Sequence, residues 1–249
     1  MNEKFLLFKI IILIIAIFSL AMQSDIKKSK TTSHFRIRYE KSINDEEINY
    51  ISTVVESVYS RYTRMFEVSL NRMTEVFIYQ TPGRYRLESQ SKLFEDGYYR
   101  AGRLYLVVSR NEIDREKLKY IIARIVVRMI LEQIPSCPEW LAVGYSLVVG
   151  RDLESFGTPA RVTVSQFSDL GEDYNRSITK TQLKELYSKI AVTMKFFLIR
   201  YGDHAVELML KKFKTEDSIN EVFEMSFNEK IEAIEKAWVD YLDSVAQGR

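Results

Sequence analysis

Apolar and polar residues follow strand-like spacing in several segments of the first half of the 249-residue chain. Residues 34–39 (HFRIRY) alternate between apolar and charged side chains, which predicts a half-buried strand, and residues 74–79 (TEVFIY) predict a second one. Between them, apolar residues at steps of three and four from Ile48 to Met65 predict an amphipathic helix. Residues 97–108 predict two short extended segments that meet at Ala101-Gly102. We therefore expect a small sheet packed on a long helix.

Residues 117–150 (KLKYIIARIVVRMILEQIPSCPEWLAVGYSLVVG) form the most apolar part of the remaining chain. Their first half is hydrophobic on nearly every side, which is typical of a helix buried inside a protein, and it is too short to span a bilayer. Pro135 ends this helix, and Pro138 begins a second one. Arg124 and Arg128 interrupt the apolar run on one face of the buried helix, since they are four residues apart. A polar face on a buried helix indicates a site.

The last third of the chain shows mainly helical spacing. Residues 151–180 lack a clear period and predict a loop region beside the site, with a short strand at 161–164. From Thr181 to Tyr201 apolar residues return at helical spacing, and Gly202 is expected to end that helix. Three more helices are predicted, over residues 205–213, 218–225 and 228–245. We expect residues 181–246 to form a helical C-terminal subdomain.

Residues 1–24 are predicted to be a targeting segment. Lys4 and Lys9 precede a short apolar run, and Ala21 suits signal-peptide cleavage. The alternative is an uncleaved membrane anchor over residues 5–22, which the three lysines at positions 27, 28 and 30 favour because they are unusual at a mature N-terminus. Either interpretation places the body outside the cytoplasm of a bacterial cell, periplasmic or secreted, or anchored to the cytoplasmic membrane.

Composition narrows the classes of function. A formal net charge of +2 argues against a dedicated nucleic-acid-binding protein, which normally has a strong basic excess. The single cysteine, Cys137, excludes an intramolecular disulfide, and we interpret it as a packing residue rather than a nucleophile. The two histidines, His34 and His204, are far apart and form no H-x-x-x-H pair.

The two helices of residues 117–150 resemble the catalytic core of the gluzincin metallopeptidases, the peptidase MA-like type. That family carries A-H-E-L-x-H on a buried helix and P-x-W-L-x-E-G on the next. Here residues 123–131 align with the first motif and residues 138–144 with the second. The framework residues that match are Ala123, Met129, Ile130, Pro138, Trp140, Leu141 and Gly144. The order of elements matches over residues 34–244, so the resemblance implies an α+β, zincin-like fold with its core in residues 34–150.

The catalytic residues of that family are replaced in this chain. By the resemblance, Arg124 and Arg128 stand at the two zinc histidines, Ile125 at the general-base glutamate and Val143 at the third-ligand glutamate. Arginine stays protonated and has no acceptor atom, so it cannot bind zinc. Isoleucine cannot take a proton from water. We therefore expect no catalytic residues, no metal and no cofactor.

Three functions remain open. The first is an inactive peptidase-like envelope protein that binds a protein or peptide through the former cleft or its helical tail. The second is an assembly subunit that uses the fold as a scaffold. The third is an active metallopeptidase with a non-standard metal site. The oligomeric state is not predicted.

The ligand-binding candidates are Arg124, Arg128 and four aromatic residues: Tyr98, Tyr99, Tyr105 and Trp140. The resemblance places the tyrosines on a strand beside the cleft, to which a substrate peptide adds by β-augmentation. Alternatively they pack on neighbouring strands. The two arginines either pair with acidic residues such as Glu132, Glu139, Asp152 or Glu154 in a collapsed site, or form a pocket for a carboxylate or phosphate.

Overall fold

The computed structural model describes residues 26–93, 96–108, 114–157, 166–176 and 179–247. The strands are β1 (Ile26–Thr31), β2 (Phe35–Glu40), β3 (Thr74–Tyr79), β4 (Gly97–Arg100) and β5 (Arg103–Val107). The helices are α1 (Asp45–Phe66), α2 (Pro82–Ser89), α3 (Arg115–Leu131), α4 (Glu139–Val149), α5 (Phe167–Arg176), α6 (Lys180–Lys212), α7 (Ile219–Phe227) and α8 (Ile231–Ala246). The architecture is mixed α+β, as predicted.

The five strands form one mixed sheet in the order β1-β2-β3-β5-β4. The three central strands are parallel, and β1 and β4 are antiparallel edge strands. Four of these strands were predicted. β1 was not predicted, because its sequence, IKKSKT, has almost no apolar residue. As an edge strand it pairs only with β2. Backbone hydrogen bonds to β2 hold it instead.

One face of the sheet packs on α1 and α3 in a shared apolar cluster, and α4 and α6 extend this core away from the sheet. Asn44 accepts a hydrogen bond from the backbone N–H of Glu47 and caps α1, whose buried stripe begins at Ile48. Almost every residue of α3 from Ile121 to Leu131 is buried, which confirms the predicted interior helix. A single apolar cluster joins the sheet side and the helical C-terminal part.

The prediction of a loop over residues 151–180 is wrong in part, because α5 lies within it. This helix is short and mostly polar, and only Phe167 and Leu170 are buried, so its apolar pattern has too few members to be recognised. The strand predicted at 161–164 lies outside the described residues. Gly202 interrupts α6 with φ +80° and ψ 165°, as expected for the predicted helix end. The later helices α7 and α8 confirm two further predictions.

Within these described ranges, no helix is long and apolar enough to cross a membrane. The targeting segment predicted for residues 1–24 lies outside them.

Candidate functional site

A cavity of about 250 Å³ opens between the edge strand β4 and the helices α3, α4, α5 and α6. It is lined by Gly97, Tyr98, Tyr99, Arg100, Ala101, Arg124, Ile125, Arg128, Glu132, Glu139, Val143, Ser146, Tyr174 and Tyr187. All four positions that the sequence singled out as replaced catalytic residues border this one cavity, although they come from two helices. The extended segment at residues 97–100 lies at a sheet edge beside it, as predicted.

Arg124 is buried, with 6% of its surface exposed, and its guanidinium contacts two other elements. Nη1 donates to Oδ2 of Asp152 at 2.6 Å, just after the end of α4, and Nη2 donates to the carbonyl oxygen of Gly97 at 3.0 Å. Burial lowers the pKa of Arg124 and Asp152 opposes that shift, but an arginine remains charged at neutral pH. This cation therefore ties α3 to β4 and to the turn after α4.

Arg128 lies one helical turn further along α3 and binds the first residue of α4. Nη1 donates to the carbonyl oxygen of Glu139 at 2.9 Å, and Nη2 donates to the Glu139 carboxylate. The hydroxyl of Tyr174, on α5, donates to the same carboxylate at 2.7 Å. Burial acts to lower the pKa of Arg128, but Tyr174, Tyr187 and Glu139 outweigh it, so the pKa is raised. The Arg128–Glu139 pair, together with Tyr174, therefore connects α3, α4 and α5.

These contacts confirm the pairing interpretation of the two arginines, with Asp152 and Glu139 as the partners. The other two acids that the sequence suggested are engaged elsewhere. Glu132 accepts a hydrogen bond from Tyr99, and Glu154 pairs with Lys195 at 2.6 Å. The cavity has not collapsed around the pairs. Arginine pairing and an open cavity, which the sequence treated as alternatives, coexist.

Four tyrosines form much of the cavity wall: Tyr98, Tyr99, Tyr174 and Tyr187. Burial is the largest cause that raises the pKa of each, to about 12 for Tyr187, so all four are neutral hydroxyls at physiological pH. Sequence reasoning missed Tyr174 because it lay in the presumed loop. Tyr187 falls within the helix predicted from Thr181 to Tyr201, and its spacing there matches the apolar stripe, so it was not singled out as a site residue.

Two predicted ligand-binding candidates do not line the cavity. Trp140 is 2% exposed and stacks on Phe167, with the ring centres 6.1 Å apart. Tyr105 lies in a small cluster apart from the main core and stacks on Phe77 at 5.5 Å. Neither residue therefore belongs to the candidate site, and both pack against neighbouring rings. For Tyr105 this is the alternative that the sequence allowed for the strand tyrosines.

The cavity lining is polar, but its two buried arginines are already paired with carboxylates. Arg124 and Arg128 are paired with carboxylates, and Ile125 and Val143 add apolar surface between them. In the part of the chain that the structure describes, no three His, Cys, Asp or Glu side chains are grouped so that they could hold a metal ion. Cys137 lies near the start of α4, and burial raises the pKa of its thiol to about 12, so it is not a thiolate.

In comparisons with known proteins, no family model matches the chain and no curated sequence is significantly similar to it.

Proposed function

We propose that this chain is a zincin-like protein of the bacterial envelope that has lost peptidase chemistry and binds a peptide segment of a partner protein in the cavity between β4 and α3. The observation that carries the proposal is the position of the cavity. Arg124, Ile125, Arg128 and Val143, the four residues aligned with catalytic positions, all line it, beside an edge strand. A former active site used only for binding would retain this concave shape.

The lining favours an uncharged peptide segment. Asp152 and Glu139 already neutralise Arg124 and Arg128, and the Arg124–Asp152 distance is 2.6 Å. An added carboxylate or phosphate would have to displace one of these two carboxylates. Tyrosine rings and hydroxyls, by contrast, suit apolar side chains and peptide groups together. We therefore prefer peptide recognition to the anion pocket that the arginine spacing alone suggested.

The cavity also separates this function from the scaffold alternative. A protein that used the fold only for assembly would have no need of an accessible cleft, and its groove would be expected to fill with side chains. Here the groove remains open, and tyrosines form part of its lining. The proposal therefore places the partner contact in the cleft and not on the helical tail.

Selection from a random peptide library displayed on phage, with the full chain as target, tests this function. We expect peptides that bind the wild-type chain and lose at least about tenfold in affinity with Val143→Phe, because the larger ring fills the cavity. Tyr98→Ala, which removes part of the wall, gives a second variant that does not overpack the core. Tyr50→Ala, on α1 and outside the cavity, is the matched control.

Peptides that bind Val143→Phe and Tyr98→Ala as tightly as the wild-type chain would place the contact elsewhere and contradict the proposal. Failure to select any peptide would also count against it.

A further inference from the structure

The sheet face opposite α1 and α3, here called the outer face, carries an ordered array of arginines. Strand register places Thr31, Arg36, Glu75, Arg103 and Arg100 side by side in one row across all five strands. The next row holds Ser29, Arg38, Phe77, Tyr105 and Tyr98. These ten residues include four arginines and one glutamate. We call Arg36, Arg38, Arg100 and Arg103 the arginine face.

The arginine face is held in place by contacts around Phe77 and Glu75. Arg38 and Arg103 both lie near the Phe77 ring, at 5.8 and 5.9 Å from its centre, and both pair with Glu75, at 2.6 and 3.7 Å. Their side chains nevertheless remain 43% and 55% exposed, and Arg36 and Arg100 are exposed as well. One carboxylate thus orients two guanidinium groups and leaves a net positive surface.

A fifth guanidinium lies at the same end of the sheet. A Cβ atom built on Gly102 would be 2.8 Å from Nη2 of Arg72, so Arg72 lies over the turn between β4 and β5. The opposite end of the outer face is different in character. There α2 packs over a small apolar cluster of Tyr79, Tyr85, Tyr105 and Val107, and Phe77 and Tyr98 border this cluster. The arginines lie around and beyond this cluster, and their side chains are exposed.

This concentration of charge is local, because the whole chain has a formal net charge of only +2. Guanidinium groups bind phosphate oxygens through two parallel hydrogen bonds, and a sheet presents them on a broad surface rather than in a groove. A surface of phosphate groups, as at an anionic bilayer, is complementary to it.

The sequence before β1 indicates which phosphate surface is within reach. The apolar run of residues 5–22 ends three residues short of Ile26, the first residue of β1. Three residues span at most about 10 Å, even when fully extended. If the run is held in a bilayer, the sheet must lie close to the headgroups, and β1 neighbours the strand that carries Arg36 and Arg38.

We propose that the arginine face docks on an anionic phospholipid surface, so that the sheet lies against the membrane. Arg100 also lines the cleft, so the cleft opens beside this contact and close to the bilayer. The contact shares Arg100 with the cleft, whereas Arg36, Arg38 and Arg103 lie outside the cavity lining. It requires only phosphate-bearing headgroups and the four exposed guanidinium groups.

The test uses the full chain in nanodiscs made of phosphatidylcholine alone or with about 30% phosphatidylglycerol, the anionic lipid that the charge argument requires. A fluorophore is placed at Ser29→Cys, in the row of Arg38, in a Cys137→Ala background, and a headgroup spin label quenches it. Ser57→Cys on α1, on the other side of the sheet, reports the distant surface.

Arg36→Glu combined with Arg100→Glu removes two of the four guanidinium groups but keeps the Arg38–Glu75–Arg103 ion pairs. Lys119→Glu combined with Lys184→Glu makes the same change of charge at exposed helical positions elsewhere.

We expect quenching at Ser29→Cys to be at least about threefold greater with phosphatidylglycerol than without it, because counter-charge holds the face at the bilayer. The Arg36→Glu, Arg100→Glu variant should fall to the level seen in phosphatidylcholine, and the lysine control should not.

Equal quenching in the two lipids, or stronger quenching at Ser57→Cys, would overturn the proposal. The proposal would also be overturned if the fluorophore at Ser29→Cys were not quenched by nanodiscs while the same arginines bound a short single-stranded DNA. The partner of the arginine face would then be a soluble polyanion.

Discussion

The two arginines of the cavity illustrate what buried charge requires of its neighbours. A guanidinium taken out of water is costly unless a counter-charge and further acceptors replace its hydration. Arg124 has Asp152 and the Gly97 carbonyl, and Arg128 has both a carbonyl and the carboxylate of Glu139. The cations therefore connect α3 with β4, with the start of α4 and with the turn that follows it.

Arg124→Ala should lower the free energy of unfolding by about 3 to 5 kcal/mol, because it leaves Asp152 and the Gly97 carbonyl without their donor. Urea denaturation measures the change. Arg176→Ala, which removes an exposed ion pair with Glu172, should cost less than about 1 kcal/mol. A loss from Arg124→Ala as small as that of the control would show that the buried pair does not hold these elements together.

The sequence predicted that Arg124 and Arg128 need acidic partners, but it did not predict which acidic residue each arginine contacts. Glu132, four residues after Arg128 at the C-terminal cap of the same helix, was a reasonable partner by spacing, yet it accepts a hydrogen bond from Tyr99 instead. Arg128 reaches Glu139 because the turn at Pro135 brings the start of α4 back beside α3. Contacts between elements depend on such turns, which residue spacing within one helix does not encode.

Elements with a long, regular pattern were predictable, and short polar ones were not. The buried stripe of α1 and the nearly uniform apolar run of α3 each have enough members to define a period. β1 and α5 have one or two apolar residues apiece, and hydrogen bonding to β2 or packing against α6 stabilises them instead. Gly202 was predictable because glycine tolerates backbone angles that other residues avoid.

Gly202→Ala should destabilise the protein by about 1 to 3 kcal/mol, since φ +80° with ψ 165° is essentially restricted to glycine. No neighbouring atom would clash with the added methyl group, so the cost would come from the backbone alone. Gly83→Ala, in α2 and also in open space, should be neutral or slightly stabilising. Thermal unfolding of both variants makes the comparison, and a stabilised Gly202→Ala would mean that α6 runs unbroken.

The whole molecule joins its sheet and its C-terminal helices through one apolar core, with the cavity between them. Several tyrosines buried at this junction stay neutral. The stability of the fold should therefore depend on pH in the alkaline range. Burial raises the folded-state pKa of Tyr187 to about 12, whereas an unfolded tyrosine has a pKa of about 10. Between these values the unfolded chain releases a proton that the folded chain keeps, so stability falls as the pH rises.

Tyr187→Phe should remove this contribution. Between pH 10 and 12 the wild-type free energy of unfolding should fall by up to about 1.4 kcal/mol per pH unit more steeply than that of the variant. Below pH 9 the pH dependence of the two proteins should be parallel. Urea titrations across this range test the expectation, and equal slopes for both proteins would contradict a neutral, buried Tyr187.

We propose that cations from the chain itself occupy the positions of a zinc site in a cleft that no longer catalyses peptide hydrolysis. The most direct measurement is the zinc content of the full chain, purified without chelator, by elemental mass spectrometry. We predict less than about 0.1 equivalent per chain, because a guanidinium has no lone pair to offer a metal. A content near one equivalent would mean that other residues form a metal site and would contradict the account.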